Sequence, residues 1–201
     1  DKIVDGLTGG IEFLFKKHKI TWFKVGGPAD ILFKPADEAD LIRFLKDLPE
    51  EMPVFTLGIG SNLLVRDSGF RGAVIRLGKP FAEMELLEGD RLKVGGGALD
   101  LYTARFAAEH GLTGAEFLSG IPGSIGGAIR MNAGAYGGEM KDILVSAVAI
   151  DRQGNRHDLD REQMKFSYRH SDTPDDWIFT EAVLQLQPGE PEAIQSVMDD
   201  I

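Results

Sequence analysis

The chain has no cysteine among its 201 residues, which excludes disulfides, thiolate metal sites and a thiol nucleophile. It has no apolar run approaching the roughly 18 residues of a membrane span, and its first residues lack the charged-then-apolar layout of a signal peptide. A cytoplasmic protein with no membrane partner is therefore expected. Basic residues are in deficit: the net charge is −10, so neither a broad polyanion-binding face nor nucleic acid as a partner is expected. The four histidines, His18, His110, His157 and His170, show no metal-ligand spacing, and no metal site is expected. No Gly-Lys-Ser/Thr phosphate loop, internal repeat or low-complexity segment occurs.

Glycine is plentiful instead. Residues 120–138 read GIPGSIGGAIRMNAGAYGG, with seven glycines in nineteen positions. Glycine weakens helices and strands, so such a run suits main chain that closely approaches something, often phosphate oxygens. A smaller turn, Gly58-Ile59-Gly60-Ser61-Asn62, follows the apolar run Val54–Leu57. Two such loops point to a phosphate-bearing cofactor. With an acidic chain, the phosphate would be held by main-chain N–H groups and a few cations, of which Arg66, Arg71 and Arg130 lie near the loops.

Periodicity gives an α+β pattern. Ala29–Lys34 reads as a strand, and Asp37 caps a helix from Glu38 to Leu48. Leu63–Val65 and Ala73–Leu77 read as strands. Met84–Leu87 and Leu92–Val94 form a hairpin around Glu88-Gly89-Asp90. Leu99–His110 reads as a helix stopped by Gly111, and Ser124–Met131 as a short one. Ile143–Asp151 and Arg156–Leu159 make a second hairpin, Asp160 and Gln163 a capping box, and Ile178–Gln187 a long strand. From Pro191, the residues Ile194, Val197, Met198 and Ile201 share a helical face; the pattern then stops without a cap, and the natural protein is expected to continue. An N-terminal segment spans 1–21, two lobes cover about 22–80 and 81–187, and a further domain begins at 188–201.

The Gly58 turn is not a dinucleotide-binding fingerprint. Its third glycine is missing, and Leu63-Leu64-Val65 is no helix start. It fits an anion nest and equally an ordinary hairpin turn. In the second segment, Gly120-Ile121-Pro122-Gly123-Ser124 can wrap a pyrophosphate. Gly126 and Gly127 let backbone pass a flat ring system, and Asn132 through Tyr136 continue that surface.

The stretches TWFKVGGPAD (21–30), TLGIGSNLLVRDSGFRG (56–72), FLSGIPGSIGGAIRMNAGAYGGEMKD (117–142) and FSYR (166–169) resemble the UDP-N-acetylenolpyruvoylglucosamine reductase family, flavoenzymes of bacterial peptidoglycan precursor synthesis. The resemblance runs in the family's order and spacing over essentially the whole chain. It implies a two-lobed FAD-binding module of the vanillyl-alcohol-oxidase (PCMH) type followed by a smaller substrate domain. It implies FAD contacts at Gly58, Ile59, Gly60, Ser61, Asn62 and Leu63. A second set falls on Ser119, Gly120, Ile121, Pro122, Gly123, Ser124, Gly126, Gly127 and Ala128, with Ile178 beside the flavin. Relatives with this fold often bind FAD covalently through a histidine in the first loop; Asn62 stands there instead, so FAD is expected to be non-covalent. The implied activity uses NADPH as co-substrate to reduce the enolpyruvyl group of a UDP-sugar, with no obligate protein partner. Tyr168 and Arg169 match the family's substrate contacts, and Arg169 its catalytic arginine; the competing reading pairs Arg169 with Asp172 as a surface cation. The family's catalytic serine and glutamate fall in a segment past residue 201. The direct passage from Gln187 into the last helix resembles the shorter subclass, which lacks a tyrosine-bearing loop. A non-catalytic flavin module, or another oxidoreductase on the same fold, are the alternatives. Trp22 and Phe23 are read as core aromatics or flavin neighbours, and Trp177 as packing.

Overall fold

The computed structural model describes residues 7–16 and 26–201. Trp22, Phe23 and most of the expected 1–21 segment lie outside the described residues. The elements in chain order are β1 (Gly10–Lys16), β2 (Pro28–Lys34), α1 (Glu38–Asp47), β3 (Val54–Thr56), β4 (Phe70–Ile75), β5 (Met84–Leu87), β6 (Arg91–Gly95), α2 (Asp100–Glu109), β7 (Leu112–Thr113), α3 (Ile125–Arg130), β8 (Gly134–Ala135), β9 (Gly138–Glu139), α4 (Met140–Ile143), β10 (Leu144–Ile150), β11 (Arg156–Asp160), β12 (Ile178–Gln185), β13 (Gln187–Pro188) and α5 (Pro191–Asp199).

Two sheets organise the chain. The first has the order β1-β2-β4-β3. β1 runs antiparallel to β2, while β2 and β3 both run parallel to β4. Residues 10–16 thus join this sheet as its edge strand. The parallel pairing also settles the first glycine turn. It belongs to the long connection a parallel pair requires, not to a hairpin. Leu63–Val65 is correspondingly not a strand: Leu63 packs under the sheet while Leu64 is exposed.

Helix α1 forms for the reasons its sequence gives. The Asp37 side chain accepts from the Asp40 amide at 2.7 Å, closing the first turn. Its apolar face lays Leu41, Phe44 and Leu45 onto Ile31, Phe33 and Ile75, and the Phe33 and Phe44 rings stack at 4.0 Å. Asp40 is buried and accepts from the amides of Thr8 (2.9 Å), Gly9 (2.7 Å) and Ala36 (2.9 Å). One carboxylate thereby pins the approach to β1 against the start of α1.

The second sheet, β11-β10-β12-β6-β5, is antiparallel throughout. Helices α2, α3 and α5 contribute to the core on one of its faces, with Ala104, Ala107, Ile125, Ile129, Ile194 and Met198 among the buried residues. The β5–β6 hairpin turns at Gly89 and Asp90, both at positive φ. Asp160 and Gln163 exchange amide-to-side-chain bonds at 2.8 Å each, as the capping-box pattern predicts. Val197, expected on the apolar face of α5, is instead half exposed. Ile150 of β10 and Ile178 of β12 cross over into the core of the first sheet.

Candidate cofactor and substrate cleft

A cleft of about 1590 Å³ lies where the two sheets and their loops face each other. One wall is built from residues 54–63 and 76–79. The other is built from 96–100, 121–124, 126–128, 130–139, 168–169 and 175–177, with Phe179. The two glycine segments meet here. The Ser61 hydroxyl donates to the Pro122 carbonyl, and a Cβ on Gly58 would come within 2.7 Å of Ser124 Oγ.

Their amides are open. Among the described residues, the N–H groups of Gly58, Ile59, Gly60, Ser61 and Asn62 meet no protein acceptor, nor do those of Gly123, Ser124 and Gly127. Gly60 and Ser124 are buried, where an amide is almost always paired, and Gly58, Ile59, Ser61 and Gly123 are half-buried, so two facing sets without protein partners form a cradle for oxygen atoms of a ligand. The amides of Ile125 and Gly126 are different: they donate to Ala98 O (2.9 Å) and Gly96 O (2.8 Å). A Cβ at Gly126 would lie 3.0 Å from the Phe179 carbonyl, so close backbone packing by itself requires glycine there. At Gly127 the nearest atom is Ser124 Oγ at 3.8 Å, and the position is open towards the cleft.

Other expected contacts fall elsewhere. Ser119 spends its hydroxyl on the Glu116 carbonyl (2.8 Å), Gly120 is packed by Tyr136 and Ile201, and neither lines the cleft. Ile178 is fully buried in the first sheet's core, and its neighbour Phe179 is the residue of β12 that faces the cleft. Leu63 and Ala128 do line it. Asn132 lines it too, but its side chain is spent within the protein: Oδ1 accepts from Lys141 N, and Nδ2 donates to Glu139 and to the Ser167 carbonyl.

Tyr168 and Arg169 occupy the rim. They form the tip of a turn closed by Ser167 N to His170 O (3.0 Å) and His170 N to Ser167 O (3.2 Å), with Arg169 at φ 53°. Tyr168 is 89% exposed. Asp172, expected in the competing reading to neutralise Arg169, bridges Lys165 at 3.4 Å, and no carboxylate bridges Arg169 among the described residues. Its charge is available to a ligand.

Arg130 is held by acceptors rather than by a carboxylate. Nη1 donates to Thr173 O (3.0 Å) and Thr173 Oγ1 (2.7 Å), Nη2 to Trp177 O (2.7 Å), and the guanidinium lies 4.9 Å from the Phe179 ring centroid. Burial pulls its pKa down, against the opposing charges of Asp175 and Asp176. Arg71 is remote from this role; it is exposed and pairs with Asp30 at 3.3 Å. Trp177 stacks on His157 at 4.0 Å, with His157 Nε2 2.8 Å from Asp151.

Sequence reasoning missed several cleft residues. The cations Arg76 and Lys79 line the first wall. Gly96 and Gly97 line the floor, and the unbroken triplet Gly95-Gly96-Gly97 was the available signal. Asp100, at the start of α2, is fully buried, and both its oxygens lack a partner. Its carboxyl lies against Gly123, and burial pushes its pKa up to about 8, so the neutral acid is the form present at neutral pH.

Known proteins share this sequence and arrangement. The FAD-binding domain family matches residues 29–160. A UDP-N-acetylenolpyruvoylglucosamine reductase of Paramagnetospirillum magneticum is 56% identical over 193 residues, spanning 96% of this chain and 62% of the relative. One from Maricaulis maris is 53% identical over 182 residues, spanning 90% and 58%. The chain thus spans about three fifths of the curated relatives it matches. Among solved structures, a UDP-N-acetylenolpyruvylglucosamine reductase from Thermus caldophilus superposes with a TM-score of 0.81 at 36% identity, covering 96% of this chain and 68% of that one. An alkyldihydroxyacetonephosphate synthase superposes with a TM-score of 0.61 at 16% identity, which is a likeness of fold alone.

Proposed function

We propose a function from one premise: this chain belongs to the FAD-binding domain family and, within it, to the UDP-N-acetylenolpyruvoylglucosamine reductases. The activity proposed for the whole protein is the reduction of UDP-N-acetylglucosamine enolpyruvate to UDP-N-acetylmuramate in peptidoglycan precursor synthesis, a cytoplasmic reaction. NADPH is the reductant and non-covalent FAD lies between the two. The observation that carries this reading is the pair of facing loops with unspent amides, in a cleft whose rim bears an unneutralised arginine.

The residues present fit the cofactor. Successive amides of 58–62 and those of Gly123 and Ser124 suit a diphosphate, and Arg76 and Lys79 add positive charge to an otherwise acidic protein. Gly127 leaves the wall flat where a ring system would lie. FAD, when bound, supplies the hydride relay between nicotinamide and the enolpyruvyl carbon. Hydride addition to that carbon builds negative charge on the conjugated carboxylate. A planar guanidinium, fixed before the reaction, stabilises this charge better than an ammonium. Arg169 is assigned that role, and Tyr168 a contact to the same substrate. The cofactor module is assigned to the two sheets, and α5 to the beginning of a substrate-binding domain.

The test uses the full-length enzyme in two half-reactions. NADPH should bleach the visible flavin band, and the UDP-enolpyruvyl sugar should restore it. In Arg169→Ala, bleaching should proceed normally while restoration slows by about 10²–10³-fold, the usual cost of one charge-stabilising donor. Restoration at the normal rate would remove Arg169 from the mechanism. An absence of protein-associated flavin absorbance after incubation with FAD and removal of the unbound cofactor would remove the cofactor assignment.

A further inference from the structure

Arg169 sits at the tip of an exposed two-residue turn, yet the proposed role requires it to be fixed. Both arms of that turn are held by one short segment, residues 130–132, which leaves the glycine-rich helix α3. On the incoming arm, Asn132 Nδ2 donates to the Ser167 carbonyl at 3.1 Å. On the outgoing arm, the Ser171 hydroxyl donates to the Arg130 carbonyl at 3.0 Å, and the Arg130 guanidinium grips Thr173 and Trp177.

The grip is rigid at its source. Asn132 is 2% exposed and adopts φ 39°, a conformation asparagine tolerates better than most residues. Its second amide proton goes to Glu139 Oε2 (2.7 Å), and Oδ1 accepts from Lys141 N (2.9 Å). Ser171 is 1% exposed. The tip itself makes no such contacts, because Tyr168 projects into solvent and Arg169 has no ion-pair partner among the described residues.

We propose that Asn132, with Arg130, is a positioning residue that holds the Tyr168–Arg169 turn in register with the glycine-rich cofactor wall. This rests on the reductase reading and adds to it. The aim of the substrate-binding arginine is set from the same segment that lines the flavin side of the cleft, so cofactor and substrate are placed by one piece of backbone.

Asn132→Asp in the full-length enzyme is the direct test. It keeps the shape and the acceptor for Lys141 N. It replaces the donor to Ser167 and Glu139 with an oxygen. FAD affinity and flavin bleaching by NADPH should stay within about twofold of wild type. Reoxidation by the UDP-enolpyruvyl sugar should slow by about ten- to a hundredfold, the effect of displacing a reactive group by an ångström or so. The double variant Asn132→Asp/Glu139→Gln restores a donor between positions 132 and 139 but not the bond to Ser167. Its melting temperature should recover while reoxidation stays slow. Recovery of both together would reduce Asn132 to a folding residue, and wild-type reoxidation in the single variant would overturn the proposal outright. Should the single variant fail to fold, Arg130→Lys serves, because one ammonium cannot reproduce the fork that joins Thr173 to Trp177. It should show the same split, and normal reoxidation would again overturn the proposal. If the wild-type flavin is not reoxidised by the UDP-enolpyruvyl sugar at all, the reductase reading itself fails and the positioning role falls with it.

Discussion

Replacing Asp100 by asparagine should change how the stability of this protein depends on pH. Asp100 is fully buried with both oxygens unpartnered, and its pKa rises from 3.8 to about 8. Between those values the folded state holds a proton that the unfolded state has released. The stabilisation from the neutral acid is complete below the unfolded pKa and is lost as pH rises through the folded one. Each pH unit inside the window costs about 1.4 kcal/mol, so moving from pH 5 to pH 7 costs about 2.7 kcal/mol. At about 2–4 °C per kcal/mol for a chain of this size, the melting temperature falls by about 5–10 °C from this group alone. Asp151, whose pKa is lowered by His157 and neighbouring amides against the opposing effect of burial, works in the opposite sense but only in the acid range. Subtracting the Asp100→Asn variant from wild type at each pH cancels that contribution. The assay is thermal or urea unfolding of both proteins from pH 5 to pH 8.5. The difference should grow with pH and level off above about 8. Parallel curves would mean that Asp100 is ionised and solvated in the folded state, and the burial argument would be wrong.

Two neighbouring glycines should separate packing from ligand contact. Gly126→Ala forces a Cβ to within 3.0 Å of the Phe179 carbonyl and should cost about 1–3 kcal/mol in urea unfolding. Gly127→Ala has open space and a helical position, so stability should hold or rise by up to about 1 kcal/mol, while FAD affinity in a fluorescence titration falls about tenfold. Equal effects of the two on both readouts would refute the distinction. Asp40→Ala strips the acceptor from three amides, Thr8, Gly9 and Ala36. It should destabilise by about 2–4 kcal/mol, with faster amide exchange at 8 and 9; unchanged exchange there would show that the pin is dispensable.

Local chemistry was the most legible part of the sequence. The Asp37 cap, the Gly89-Asp90 hairpin and the Asp160/Gln163 box each depend on a few adjacent residues, and each formed as read. The glycine loops were found because glycine has so little structural use in that density. Orientation relative to two cores was not legible. β12 is central in its sheet and buried on both faces, so alternation could not tell Ile178, facing the first core, from Phe179, facing the cleft. The parallel pairing of β3 with β4 was equally hidden, because Gly-rich turn chemistry reads the same in a hairpin and in a crossover. The two tethers on the Tyr168–Arg169 turn join residues about 35 to 47 apart, a separation no local pattern marks.

Ile150 and Ile178 leave their own sheet to fill the layer around Phe33 and Phe44. The first layer is incomplete without strands that belong to the second sheet, so the halves should melt as one cooperative unit rather than in sequence. A lesion far from the cleft, under α1 for instance, would slacken both walls together. Mutational damage should therefore register as a smaller fraction of competent molecules, each with an intact binding site, and not as a population of half-built ones.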